Sequence, residues 1–161
     1  MKVIENFLDE SDFLNLENYL LEKELPWYYR GSTEYTDQIP YFTHSFFNED
    51  RINSNSFNLI KPILNKLNYS SIIQVRANLF LQNENPVRTG WHIDYPYKNF
   101  KTAILYINES NGPTVFKDKN LKVFPKKNKI LIMEGDTYHA LYSQTDTKRR
   151  VVVNLNYYEK N

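Results

Sequence analysis

Three side chains able to hold a metal ion stand in a simple pattern: His92 and Asp94 two residues apart, and His139 much further along the chain. In an extended strand, residues i and i+2 project to the same side. The imidazole and the carboxylate within Trp91-His92-Ile93-Asp94-Tyr95-Pro96-Tyr97 can therefore reach one ion while Ile93 turns into the core. His139 offers a second imidazole, and after a short loop Arg149 and Arg150 open another strand. Two imidazole nitrogens and one carboxylate oxygen leave part of the shell of a divalent ion such as Fe(II) or Zn(II) open to a small molecule. A basic residue close behind the last ligand suits an acidic co-substrate, because the planar fork of arginine makes two charge-assisted hydrogen bonds to one carboxylate.

The rest of the chain has to position these groups. Its 161 residues, 41% hydrophobic and 16% aromatic, suit a single domain, 1–161, with one core and no need of staples. A formal net charge of +1 disfavours a protein that works by coating phosphate backbones. There is no cysteine, which excludes disulfides and thiolate metal sites. The N-terminus lacks the apolar stretch of a secretory signal and no apolar run is long enough to cross a bilayer. The expected setting is the cytoplasm.

In chain order, residues 1–7 read as an edge strand. A helix follows, with Asp9 as N-cap, Glu10 and Asp12 in the first turn, Phe13 stapled to Leu8, and Phe13, Leu16, Leu20 and Leu21 at helical spacing up to Pro26. The aromatic-rich stretch Trp27 to Phe47 has mixed periodicity and reads as short strands around a long loop, placed to serve as a substrate-facing flap. His44 within it reads as a half-buried, hydrogen-bonded histidine. A second helix is expected over Ser56 to Leu67, starting late or kinked at Pro62. From Ser71 to Leu81 the chain alternates: Ile73, Val75, Ala77, Leu79 and Leu81 belong under the helices, while Gln74, Arg76, Asn78 and Phe80 suit the wall of a wet pocket. The His92/Asp94 strand comes next. Thr102, Ile104, Tyr106 and Asn108 then share one face of Lys101 to Asn108, Asn111-Gly112-Pro113-Thr114 is a turn, and Val115-Phe116, Leu121 to Phe124 and Lys129 to Met133 are strands. Lysines 117, 119, 122, 126, 127 and 129 read as solvated hairpin tips. In Arg149 to Tyr157, Arg150 falls with Val152, Asn154 and Asn156, opposite Val151, Val153 and Leu155. Two helices followed by about eight short strands predict a mainly β architecture, a double-stranded β-helix or jelly roll of the cupin type with helices packed on one sheet.

In this order and spacing, Arg76-Ala77-Asn78-Leu79-Phe80, His92-Ile93-Asp94-Tyr95-Pro96, Ala103 to Asn108, Asn111 to Phe116, Glu134-Gly135 before His139, and Arg150 resemble the prolyl 4-hydroxylase-like 2-oxoglutarate/Fe(II)-dependent dioxygenases, particularly their short microbial and phage forms. The resemblance spans about residues 70 to 158. It implies His92, Asp94 and His139 as iron ligands, Arg150 as partner of the distal carboxylate of 2-oxoglutarate, and Tyr106 and Asn78 as hydrogen-bond donors to that co-substrate. It implies Fe(II), 2-oxoglutarate and O₂ as requirements, and hydroxylation of a C–H bond in a protein, peptide or small molecule with release of succinate and CO₂. Pro113 departs from the usual turn of the family, and Arg149 stands at the more usual distance from the last histidine, so the choice of Arg150 rests on strand face. Competing readings are a nucleic-acid demethylase of the same superfamily, a zinc hydrolase or cupin-type isomerase, and a non-enzymatic jelly-roll binding or virion-associated module.

Overall fold

The computed structural model of the protein describes residues 1–22, 25–31 and 39–160. Strand β1 (Lys2–Ile4) leads to α1 (Glu10–Glu22), whose buried Phe13, Leu16 and Leu20 keep the helical spacing of the sequence. The aromatic-rich stretch holds β2 (Tyr28–Arg30) and nearly all of β3 (Tyr41–Asn48), and β4 (Arg51–Ile52) folds back on β3. The central part of the expected flap, residues 32–38, lies outside the described residues. The second helix is shorter than expected. A 3-10 turn, Phe57–Ile60, precedes α2 (Lys61–Lys66), which places Pro62 in the first helical turn, where its missing N–H costs no hydrogen bond.

The remaining strands are β5 (Tyr69–Leu81), β6 (Lys101–Tyr106), β7 (Thr114–Phe116), β8 (Lys119–Val123), β9 (Lys129–Glu134), β10 (His139–Leu141) and β11 (Arg149–Glu159). Among the described residues they form an eight-stranded antiparallel sheet, ordered β1-β9-β6-β11-β5-β3-β2 with β4 on β3, and a three-stranded sheet ordered β10-β7-β8. The described residues form a jelly roll with two α-helices.

Alternation along the long strands divides the interior in two. Val75, Ala77, Leu105, Val151, Val153 and Leu155 face the helices and join Leu16, Leu20, Ile60 and Ile63 in one hydrophobic cluster. Burying each such aliphatic side chain contributes about 1.5–3 kcal/mol, an upper figure because the unfolded chain is itself partly compact. On the opposite face Tyr41, Phe80, Ile104, Tyr106 and Val152 pack with Phe116, Leu131 and Met133 in a second cluster. Polar side chains interrupt this second face, and a cavity opens there.

One expected strand is absent. Trp91 to Tyr97 contributes only an isolated bridge between His92 and His139, and Asp94 stands in a bend. Pro96 has no N–H to continue a ladder, and Asp94 leaves the strand path to meet Asn156, so the same-side argument for an i, i+2 pair is not what joins these residues. The lysine-rich loops sit at the surface as expected, Lys126 and Lys127 forming ion pairs with Glu5 and Glu17.

Candidate metal centre and ligand cavity

His139 opens β10, and its backbone exchanges both hydrogen bonds with His92, each at 3.0 Å. This pairing sets the imidazoles side by side, ring centroids 4.5 Å apart. In each ring Nδ1 faces a backbone carbonyl two residues back, Gly90 O at 3.2 Å for His92 and Thr137 O at 3.0 Å for His139. A carbonyl only accepts, so each Nδ1 carries a proton and Nε2 is the ring atom left to meet a metal. Both Nε2 atoms lie 3.7 Å from the same oxygen, Asp94 Oδ1.

The other Asp94 oxygen is occupied by the protein. Asn156 Nδ2 donates to Oδ2 at 2.8 Å, and the Thr102 hydroxyl, itself bonded to Asn156 at 2.9 Å, stands 3.5 Å away. Burial would raise the Asp94 pKa, but His139 and the Asn156 hydrogen bond outweigh it and hold the carboxyl below its ordinary value, ionised at neutral pH. Burial, reinforced by His139, pushes the His92 imidazole down, so it is neutral there.

The donor set fits a divalent ion. Two atoms bonded to one ion at about 2.1 Å can stand no more than about 4.2 Å apart, and both 3.7 Å pairs meet that limit. Among the described residues this is the one cluster of metal-ligating side chains. Three protein ligands leave part of the shell of such an ion open to a small molecule.

That cavity is lined by Tyr41, Arg76, Asn78, Phe80, Thr114 and Arg150 among others. The β11 register settles which arginine enters. Arg150 is 2% exposed and lines the cavity, whereas Arg149 points to the helix side and meets Glu22 at 3.0 Å. Arg150 donates to Tyr142 O at 3.3 Å and Thr114 Oγ1 at 3.4 Å, both long bonds, and its Nε has no partner. Burial without a carboxylate pushes its pKa down to about 10, the mark of a cation lacking its counter-charge. Asn78, 4% exposed, lines the cavity with an unpartnered Oδ1, as does Asn154.

Tyr106 differs from its expected place. It is fully buried behind the wall, its hydroxyl 2.8 Å from Thr114 Oγ1, so that Thr114 rather than Tyr106 reaches the cavity. His44 turns away from the metal cluster, with Nδ1 2.9 Å from Pro26 O and Nε2 2.8 Å from Ser54 Oγ. Tyr41, absent from the expected site, stacks on Phe80 in the cavity wall with centroids 5.2 Å apart; the alternation of Tyr41, Thr43 and Ser45 against Phe42, His44 and Phe46 is the signal that points to it. Thr114 looked like a mere turn residue.

Solved structures share this architecture. A prolyl hydroxylase from Trichoplax adhaerens, in complex with a hypoxia inducible factor oxygen degradation domain peptide fragment, is 14% identical, with 98% of this chain and 83% of that one covered and a TM-score of 0.66. An oxidoreductase of the 2OG-Fe(II) oxygenase family from Burkholderia pseudomallei is 11% identical, covering 99% of this chain and 85% of its own, with a TM-score of 0.72. The chain has the fold of the prolyl hydroxylase-like 2-oxoglutarate/Fe(II) oxygenases. A third oxygenase-fold structure, a prolyl-4-hydroxylase from Pseudomonas putida, is 11% identical, covers 99% and 92% of the two chains and has a TM-score of 0.63. No family model matches the chain, and no curated protein matches its sequence.

Proposed function

We propose that this protein is an Fe(II)- and 2-oxoglutarate-dependent dioxygenase that hydroxylates a C–H bond of a protein, peptide or small-molecule substrate. The observation that carries this reading is one cavity holding both a metal-binding cluster, with two Nε2 atoms converging on Asp94 Oδ1, and a buried arginine without a counter-ion. The oxygenase fold supports it.

His92, Asp94 and His139 would hold Fe(II), which, with 2-oxoglutarate and O₂ bound, supplies the oxidising power for inserting oxygen into a C–H bond while the co-substrate leaves as succinate and CO₂. The chain's own part is positioning. The carbonyls of Gly90 and Thr137 fix the imidazole tautomers, and Asn156 leaves Asp94 one free oxygen. Arg150 pairs with the distal carboxylate of the co-substrate, and Thr114, held by Tyr106, adds a hydroxyl beside it. Asn78 stands on the same wall as a further hydrogen-bonding group. Phe80, Ile104 and Val152 keep the aliphatic middle of the co-substrate dry. No described helix is long and apolar enough to cross a membrane, and a reducing cytoplasm, where we place the protein, keeps such iron ferrous.

The test is succinate formation. Purified protein given Fe(II), 2-oxoglutarate and ascorbate should release succinate slowly without substrate, and a screen of peptides, free amino acids and oligonucleotides should find compounds that accelerate it. No succinate above the level of the His139→Ala variant would overturn the reading, and acceleration by methylated oligonucleotides alone would replace hydroxylation with demethylation.

A further inference from the structure

The cavity contains a second guanidinium that the mechanism above leaves unused. Arg76 lies on β5, paired across the sheet with Asn154 of β11 on one side and Ser45 of β3 on the other. The backbone partner of Arg150 on β5 is Phe80, four residues further along, so the two arginines are anchored about 13 Å apart along that strand. Arg150 extends toward Thr114 and Tyr142, away from the metal cluster. Arg76 sits at the cluster's level, where its charge acts on His92, Asp94 and Tyr95.

Its Nε is buried without a hydrogen-bond partner, and among the described residues no carboxylate lies within ion-pair distance of it. The neighbouring Asn154 Oδ1 is equally unpartnered. The residue is half-buried, but an N–H shut away from water with no acceptor calls for one, and a bound anion would serve as that acceptor. Asp94 is not that anion, since its oxygens are given to the metal cluster and to Asn156. Nor is 2-oxoglutarate, whose two carboxylates would be met by Arg150 and by the ion that His92, Asp94 and His139 would hold.

Resting on the reading above, we infer that Arg76 recognises an oxyanion, a carboxylate or a phosphate, carried by the substrate close to the carbon to be oxidised. The substrate is thus an acidic compound or an acidic residue, held between Arg76 and the open side of the metal.

The experiment uses the full chain loaded with Mn(II), which shortens the nuclear relaxation of nearby ligands, and saturated with N-oxalylglycine, an unreactive isostere of 2-oxoglutarate that fills the Arg150 subsite. Acetate and inorganic phosphate are titrated separately, and the relaxation of the acetate methyl protons and of ³¹P is read. The expected result is saturable relaxation enhancement by at least one of the two in the wild type and in Arg149→Ala. Affinity should fall about tenfold or more in Arg76→Met and be partly restored in Arg76→Lys. The two anions distinguish a carboxylate from a phosphate substrate. Mn(II) and N-oxalylglycine affinities, measured in every variant, report an intact site. Equal anion binding in Arg76→Met, no saturable binding in the wild type, or an equal loss of N-oxalylglycine affinity in Arg76→Met would each overturn the inference alone. Failure of the wild type to bind Mn(II) and N-oxalylglycine would instead overturn the oxygenase reading beneath it.

Discussion

Because Asn156 holds one oxygen of Asp94 and thereby aims the other at both imidazoles, its loss should be felt at the metal without any ligand being removed. Asn156→Ala is expected to weaken Mn(II) or Fe(II) binding about 10–100-fold, measured by titration calorimetry. His92→Ala, Asp94→Ala and His139→Ala should each abolish it while leaving the melting temperature of the metal-free protein little changed, since these side chains edge a cavity. Full metal binding in any of the three would sink the iron assignment. The two adjacent arginines give a sharper contrast. Arg150→Ala should raise the apparent KM for 2-oxoglutarate at least about tenfold, because a buried carboxylate loses its partner. Arg149→Ala should change it by about threefold or less, its exposed pair with Glu22 contributing at most about 1 kcal/mol to stability. The opposite order would mean that the strand face has been misassigned.

At the scale of elements, the site depends on how β9 hands the chain to His139. A methyl group on Gly135 would stand 2.3 Å from the Phe100 ring, which is 1% exposed. Gly135→Ala should therefore cost about 1–3 kcal/mol in urea unfolding and, by shifting the start of β10, weaken metal binding as well. Unchanged stability would show that the ring has room to move. Alternation made the long strands legible: Arg76, Asn78, Arg150, Asn154 and Asn156 were all sorted to the cavity side from sequence, because one face of each strand had to serve the helices. The short or interrupted pieces were not legible. β2 and β4 are too brief to show a period, and the His92–Asp94 segment is ordered by a backbone bridge to His139 and by Asn156, contacts that no local pattern announces. Tyr106 was placed on the right face but one layer too near the cavity, since strand parity says which way a side chain points and not what stands in front of it.

For the molecule as a whole, the two hydrophobic clusters on opposite faces of the large sheet carry different duties. The cluster under the helices, with Leu16 and Ile63, shares no residue with the cavity lining. Leu16→Ala or Ile63→Ala should lower unfolding free energy by about 2–5 kcal/mol, read from urea titration, while leaving metal affinity at low temperature unchanged. A parallel loss of metal affinity would show that the sheet transmits strain from one face to the other. The order in which strands appear in the chain also has a bearing on how the protein is made. β11 comes last yet lies in the middle of the large sheet, between β6 and β5, and brings Arg150, Asn154 and Asn156 with it. While the ribosome is still extending the chain, the sheet has a gap at its centre, and Asp94 has not met the amide that orients it. Iron captured by a nascent chain would find a half-built cage, so tight loading has to wait until that last strand slides home.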